Sequence, residues 1–148
     1  MPGYGISLVF DVPIRYAYRW CTDFRNDDPL ISGGAYPRNI LRRRGNNLVW
    51  TQRYKYEGVE KEGVRIVTLR PPYSWHLEAI NEEKESTFDY RLAPLGKGRT
   101  RLRISVKISY RTIEPESMPE LARKLSGEWD KFKTALEKDH SSGRAATA

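Results

Sequence analysis

The chain has 148 residues, a length that suits one domain and allows a sizeable core. Its 26 Lys and Arg against 19 Asp and Glu leave a formal charge of +7, but the positives are interleaved with acids. That balance reads as a solvated basic surface and argues against a dedicated nucleic-acid tract. Cys21 is the single cysteine, which excludes an internal disulfide, and no apolar run approaches the ~18 residues of a membrane span. With no charged and apolar leader at the start, the expectation is a soluble, cytoplasmic protein. Four Trp, nine Tyr and four Phe supply much apolar area from few residues, enough to fill or line a large interior.

Taken in order, Ile6, Leu8, Phe10 and Val12 alternate with Ser7, Val9 and Asp11, the period of a strand with one apolar face. Pro13 stops it and suits the start of a helix, predicted over Ile14 to Phe24 from the spacing of Ile14, Ala17, Tyr18 and Cys21. Asp27-Asp28-Pro29 and Gly33-Gly34 make the rest of this insertion, about 25 residues, irregular. Segments of that kind serve as plain connections or as lids.

Strands follow over Asn39 to Arg44, Leu48 to Tyr56, Glu60 to Leu69, Ser74 to Ile80, Glu85 to Pro94 and Arg99 to Arg111. Gly45-Asn46-Asn47, Glu57-Gly58 and Gly96-Lys97-Gly98 are turn signals, so neighbours should pair antiparallel as a meander. Leu102, Ile104, Val106, Ile108 and Tyr110 share one face and Arg101, Arg103, Ser105 and Lys107 the other. The same split puts Phe88, Tyr90 and Leu92, Trp75, Leu77 and Ala79, and Trp50, Gln52, Tyr54 and Tyr56 on the apolar face. In Asn39 to Arg44 the register is ambiguous, because Ile40 and Leu41 cannot both point inward.

The chain closes with a helix over about Met118 to Asp139, opened by a capping box of Ser117 and Glu120 and by Pro119 in the first turn. Leu121, Ala122, Leu125, Trp129, Phe132 and Leu136 form its apolar stripe. At ~1.5 Å per residue it is about 33 Å long and about 10 Å wide, too narrow to cover a seven-stranded sheet. The fold class is therefore α+β, a single domain over 1–140, with a small polar tail, 141–148, expected to be disordered. The uncovered sheet must be filled by large side chains or left as a cavity.

This order of elements resembles the START-like (SRPBCC) superfamily, whose helix-grip fold is shared by Bet v 1-like proteins, polyketide cyclases and aromatases, and lipid-transfer START domains. Phe10-Asp11-Val12-Pro13 running into a helix, then Trp20-Cys21-Thr22-Asp23-Phe24, carry the local likeness. The glycine-rich loop of the plant members is missing, its place taken by Arg44-Gly45-Asn46-Asn47. The resemblance implies a curved sheet around the last helix and an apolar pocket holding a lipid, polyketide or similar small hydrophobic molecule. Trp50, Tyr54, Trp75, Phe88, Tyr90 and Trp129 are the expected walls, with Ile104 and Leu125 as further contacts and Gln52, Thr68 and the tyrosine hydroxyls as polar points.

Chemistry beyond binding has few carriers. His76, His140 and Cys21 lack ligand spacing, so no metal or other cofactor is expected, and His76 falls on the wet face. A cyclase-like activity would rest on Tyr54, Tyr90, Gln52 and Glu128, the last a carboxylate at the edge of the helix stripe that either stays half-buried or pairs with Lys124 or Lys131. Gly127 sits mid-helix, at a bend or on the exposed side. A rival role is docking of an acidic partner or another protein, as in the Hsp90-activating branch of the superfamily. That role would use a basic strip of Arg42 to Arg44, Arg99, Arg101, Arg103, Lys107 and Arg111. With the aromatics turned inward, base stacking has no platform and nucleic acid is disfavoured. Oligomeric state leaves no signal.

Overall fold

The computed structural model describes residues 1–143. It contains β1 (Gly3–Phe10), α1 (Ile14–Cys21), α2 (Asp28–Ile31), β2 (Arg38–Arg44), β3 (Asn47–Tyr56), β4 (Val59–Arg70), β5 (Ser74–Ile80), β6 (Lys84–Gly96), β7 (Arg99–Tyr110) and α3 (Met118–Ser141). All seven strands form one antiparallel sheet in the order β1-β7-β6-β5-β4-β3-β2, so the meander is complete and β1 closes it against the last strand. This is the expected helix-grip arrangement.

Local chemistry sets the turns. Glu57 and Gly58 both hold positive φ (50° and 77°) between Tyr56 and Val59, which are paired. Lys97 and Gly98 repeat the arrangement between Gly96 and Arg99. Two residues of positive φ in succession match the twist of flanking strands, and a following glycine accepts that conformation without strain.

Several boundaries differ from the sequence reading. The first strand ends at Phe10, and Val12 lies beyond it, fully buried, its carbonyl accepting from Thr100 Oγ1 at 2.8 Å. The first helix stops at Cys21, because Phe24 turns to a φ of 48° and a short second helix follows. The ambiguity in β2 is resolved by a bulge. Ile40 pairs with Trp50 while Arg42 pairs with Val49, so Leu41 is the extra residue and stays 59% exposed. Of the expected tail, Ser141 ends α3, Ser142 caps it and Gly143 follows at a φ of 75°; residues 144–148 lie outside the described residues.

The core sits between the inner face of β5, β6 and β7 and the two long elements that flank it. Phe10, Leu102, Ile104, Val106, Ile108 and Leu136 are essentially inaccessible. The helix α3 packs closest to β1, with α1 and α2 against its flank. Trp20 Nε1 donates to Asp139 Oδ2 at 2.9 Å, and the Asp11 backbone N–H donates to Glu137 Oε2 at 2.7 Å, fixing the helix end. The far half of the sheet, β2 to β5, therefore faces α3 across a gap.

Candidate functional site: a cavity with donors on its wall

That gap is a cavity of about 320 Å³. The sheet contributes Trp50, Gln52, Trp75, Leu77, Phe88 and Tyr90, and α3 contributes Leu121, Leu125, Trp129 and Phe132. Cross-strand register builds the floor: Trp75 is paired with Tyr90 and Leu77 with Phe88, so alternation on β5 and β6 delivers all four to one face. Trp129 reaches in from the helix, its ring 6.0 Å from Tyr90 and 5.1 Å from Phe132. The segment after α1 walls one end through Phe24, Asp28, Pro29 and Ser32, and Lys131 Nζ donates to the Ser32 carbonyl at 3.3 Å.

Seven of the nine residues expected at the site line this cavity: Trp50, Gln52, Trp75, Phe88, Tyr90, Leu125 and Trp129. Two do not. Ile104 is buried in the β7 core, paired with Ile6 and Tyr90. Tyr54 lies past the cavity, where its hydroxyl donates to Glu83 Oε1 at 2.6 Å. The nearly inaccessible Glu83 also accepts from Lys61 Nζ at 2.8 Å, so Tyr54 belongs to a structural network. Thr68 is also misplaced: the inner residues of β4 are Gly63, Arg65, Val67 and Leu69, and Thr68 faces outward opposite His76. Gln52 keeps its place but is occupied, donating to the Tyr36 carbonyl at 3.0 Å.

Two arginines that the sequence reading did not single out also line the cavity. Arg38 lies over the rings of Trp50 and Phe24, 4.7 and 5.3 Å from their centroids, and its Nη1 donates to Asp28 Oδ2 at 2.6 Å. Burial pulls its guanidinium below the ordinary value, while Asp28 draws it back up. Arg65, opposite Trp50 on β4, points into the cavity and makes no hydrogen bond or ion pair among the described residues. Burial lowers its pKa as well and Arg38 pushes the same way, while Tyr90 and Glu128 draw it back up. The signal that could have found Arg65 is the two-residue turn at Glu57-Gly58. Pairing Tyr56 with Val59 carries the register to Trp50 opposite Arg65, in phase with the apolar positions of both strands.

The tyrosine and cysteine groups on the walls are held in their neutral forms. Burial pushes the Tyr90 hydroxyl and the Cys21 thiol up, and pushes Tyr4 up to about 12 with help from Glu128. At neutral pH these are protonated and serve as hydrogen-bond donors, not bases. Glu128 lines the cavity, and burial raises its pKa against the lowering pull of Lys124, Arg65 and Lys131. Among the described residues Glu128 forms no ion pair with either lysine, and Lys131 turns instead to the Ser32 carbonyl. His76 lies outside on the sheet, Nδ1 2.7 Å from Asp89 Oδ1, and His140 packs on Tyr16 with centroids 4.7 Å apart. No cluster of metal-ligating side chains and no helix long and apolar enough to cross a membrane occurs among the described residues.

The basic strip does not assemble as expected. Strand order puts β2, with Arg42 to Arg44, at one edge of the sheet, with four strands between it and β7. Arg43 is also drawn onto the Phe24 carbonyl at 2.9 Å, Arg99 pairs with Asp11, and Arg111 pairs with Glu85. What remains together on the outer face is Arg101, Arg103 and Lys107, with Arg91 directly opposite Arg103.

Fold and cavity together have the helix-grip architecture, a fold shared with solved START-like structures. The structure of Ara h 8.0201 matches with a TM-score of 0.71 at 12% identity, over 91% of this chain and 97% of that one. The Zhui aromatase/cyclase from a Streptomyces species matches with 0.69 at 12%, over 93% and 92%. A START superfamily protein from Mycobacterium smegmatis matches with 0.64 at 15%, over 92% and 94%. At such identities the likeness establishes the fold, and no subfamily follows from it. No family model and no curated protein matches the sequence.

Proposed function

We propose that this chain binds a small, largely apolar molecule between the sheet and α3. One observation carries the reading: an aromatic-walled cavity of about 320 Å³ lies where the helix leaves the sheet uncovered, at the lower end of the size range of ligand pockets. Native mass spectrometry of the purified protein, with extraction of whatever is bound, tests it. A co-purifying apolar molecule, or uptake from a panel of lipids and aromatic polyketides, supports the pocket. A clean apo mass with no uptake and no change in tryptophan fluorescence overturns it, since Trp50, Trp75 and Trp129 all stand on the walls.

A second reading, that the cavity also closes rings in a reactive polyketide chain, draws on Glu128. When an enolate carbon of the chain adds to one of its ketone carbonyls, a half-buried carboxyl with a raised pKa on a cavity wall can deliver its proton to the alkoxide oxygen that forms, and Tyr90 on the same cavity can donate a hydrogen bond to the substrate. Ring closure of a short polyketide by the wild-type protein, abolished in Glu128→Gln, would support it. Turnover unchanged by that substitution would end it.

A further inference from the structure

We infer that the bound molecule is a carboxylic acid whose carboxylate sits against Arg65, in the inner corner formed by β2, β3 and β4. The inference rests on the pocket reading above and names its ligand class.

The corner holds an excess of donors. Arg65 offers a guanidinium to the cavity and makes no hydrogen bond or ion pair among the described residues. Trp50, its cross-strand neighbour, has a buried Nε1–H without an acceptor among the described residues. Arg38 spends Nη1 on Asp28 and on the Arg25 carbonyl, yet its buried Nε–H is also without an acceptor. All three groups donate and none can accept. A half-buried cation with no counter-charge bonded to it is costly, and arginine does not escape the cost by losing its proton. An acceptor carrying negative charge is the complement that this corner lacks.

The neighbouring charges narrow the choice. Asp28 is already committed to Arg38 at 2.6 Å, and Glu128 stands on the helix side without an ion pair to Arg65. A doubly charged phosphate would face both carboxyls, whereas a planar monoanion suits a single guanidinium fork. From Arg65 the walls continue as Trp75, Tyr90, Phe88, Leu125 and Trp129, so the rest of the molecule is apolar.

Matched pairs of probes test this by calorimetry: decanoic acid against decanol, and naphthylacetic acid against its primary amide. In the wild-type protein each acid should bind roughly tenfold to a hundredfold more tightly than its uncharged counterpart, the range of a charge-assisted hydrogen bond. In Arg65→Gln that preference should vanish while the uncharged probes keep their affinity. In Arg65→Lys, which keeps the charge and loses the fork, the preference should be intermediate. Uncharged probes binding as tightly as the acids in the wild type would overturn the carboxylate inference and leave the pocket standing. Failure of all four probes, with no uptake in the mass spectrum, would overturn the pocket and this inference with it. Circular dichroism of both variants checks that the sheet persists.

Discussion

Trp75 and Tyr90 are direct partners across β5 and β6, and their rings stack 4.8 Å apart and 6° from parallel. Tyr18 meets Trp75 edge-on at 5.9 Å and Trp129 leans on Tyr90 at 6.0 Å, so the stack is where α1, α3 and the sheet converge. Trp75→Ala should therefore lower unfolding free energy by about 3–5 kcal/mol in urea titrations. Phe88→Ala, in the same floor but half-buried at the cavity, should cost less, about 2 kcal/mol. A reversed order would show that the stack is not the packing centre.

Ligand binding should follow the helix side of the cavity. Trp129→Ala removes a wall ring and should weaken an apolar ligand about tenfold or more, because a buried aromatic contact contributes more than a kcal/mol. Arg123→Ala, on the exposed face of the same helix, should leave affinity within about twofold. Equal effects in a fluorescence titration would remove α3 from the site.

Gly127 lies on the exposed side of α3, and a Cβ built there meets nothing within 4 Å. Gly127→Ala should stabilise the protein by about 1 kcal/mol through helix propensity alone. A loss of stability would mean that the helix needs the glycine to bend.

The network of Tyr54, Lys61 and Glu83 makes a pH-dependent prediction. Burial pushes Glu83 up, but the hydrogen bonds from Lys61 and Tyr54 outweigh it and leave its pKa below the ordinary 4.5. A depressed carboxylate stabilises the fold above that unfolded value and ceases to do so as pH falls through the folded value. Glu83→Gln should therefore lower Tm at pH 7, with the difference from wild type shrinking in acid. A constant difference down to pH 3 would contradict the assignment.

Glu128 has the opposite sign. Its pKa is raised above 4.5 by burial, so its ionised form destabilises the fold once pH exceeds the folded value. Glu128→Gln should raise Tm at pH 7 and leave it unchanged below pH 4.5. A Tm lowered at neutral pH would show that the carboxylate has a favourable partner.

Much of this was legible beforehand because it depends on neighbours in sequence. The alternation of Trp75, Leu77 and Ala79, or of Leu102 to Ile108, assigns faces through the two-residue period of a strand, and Ser117 with Pro119 marks the start of α3. Thr68 and Tyr54 failed for different reasons. Thr68, expected as a polar point of the pocket, faces outward because the turn at Glu57-Gly58 sets the phase of β4. Tyr54 has the right phase, but Glu83, from the turn between β5 and β6, takes its hydroxyl out of the cavity.

By itself, then, the sequence determined the order of the elements, their antiparallel pairing and the inward set of aromatics, all consequences of periodicity and turn chemistry. Only the tertiary structure decided that Arg43, Arg99 and Arg111 are drawn onto other groups, which breaks up the basic strip, and that α3 packs beside β1 and leaves β2 to β5 uncovered. It alone decided that Arg38 pairs with Asp28 while Arg65 makes no hydrogen bond or ion pair among the described residues. Those outcomes turn on which distant groups come within a few ångströms, and charge pairing and cavity formation are set at that range.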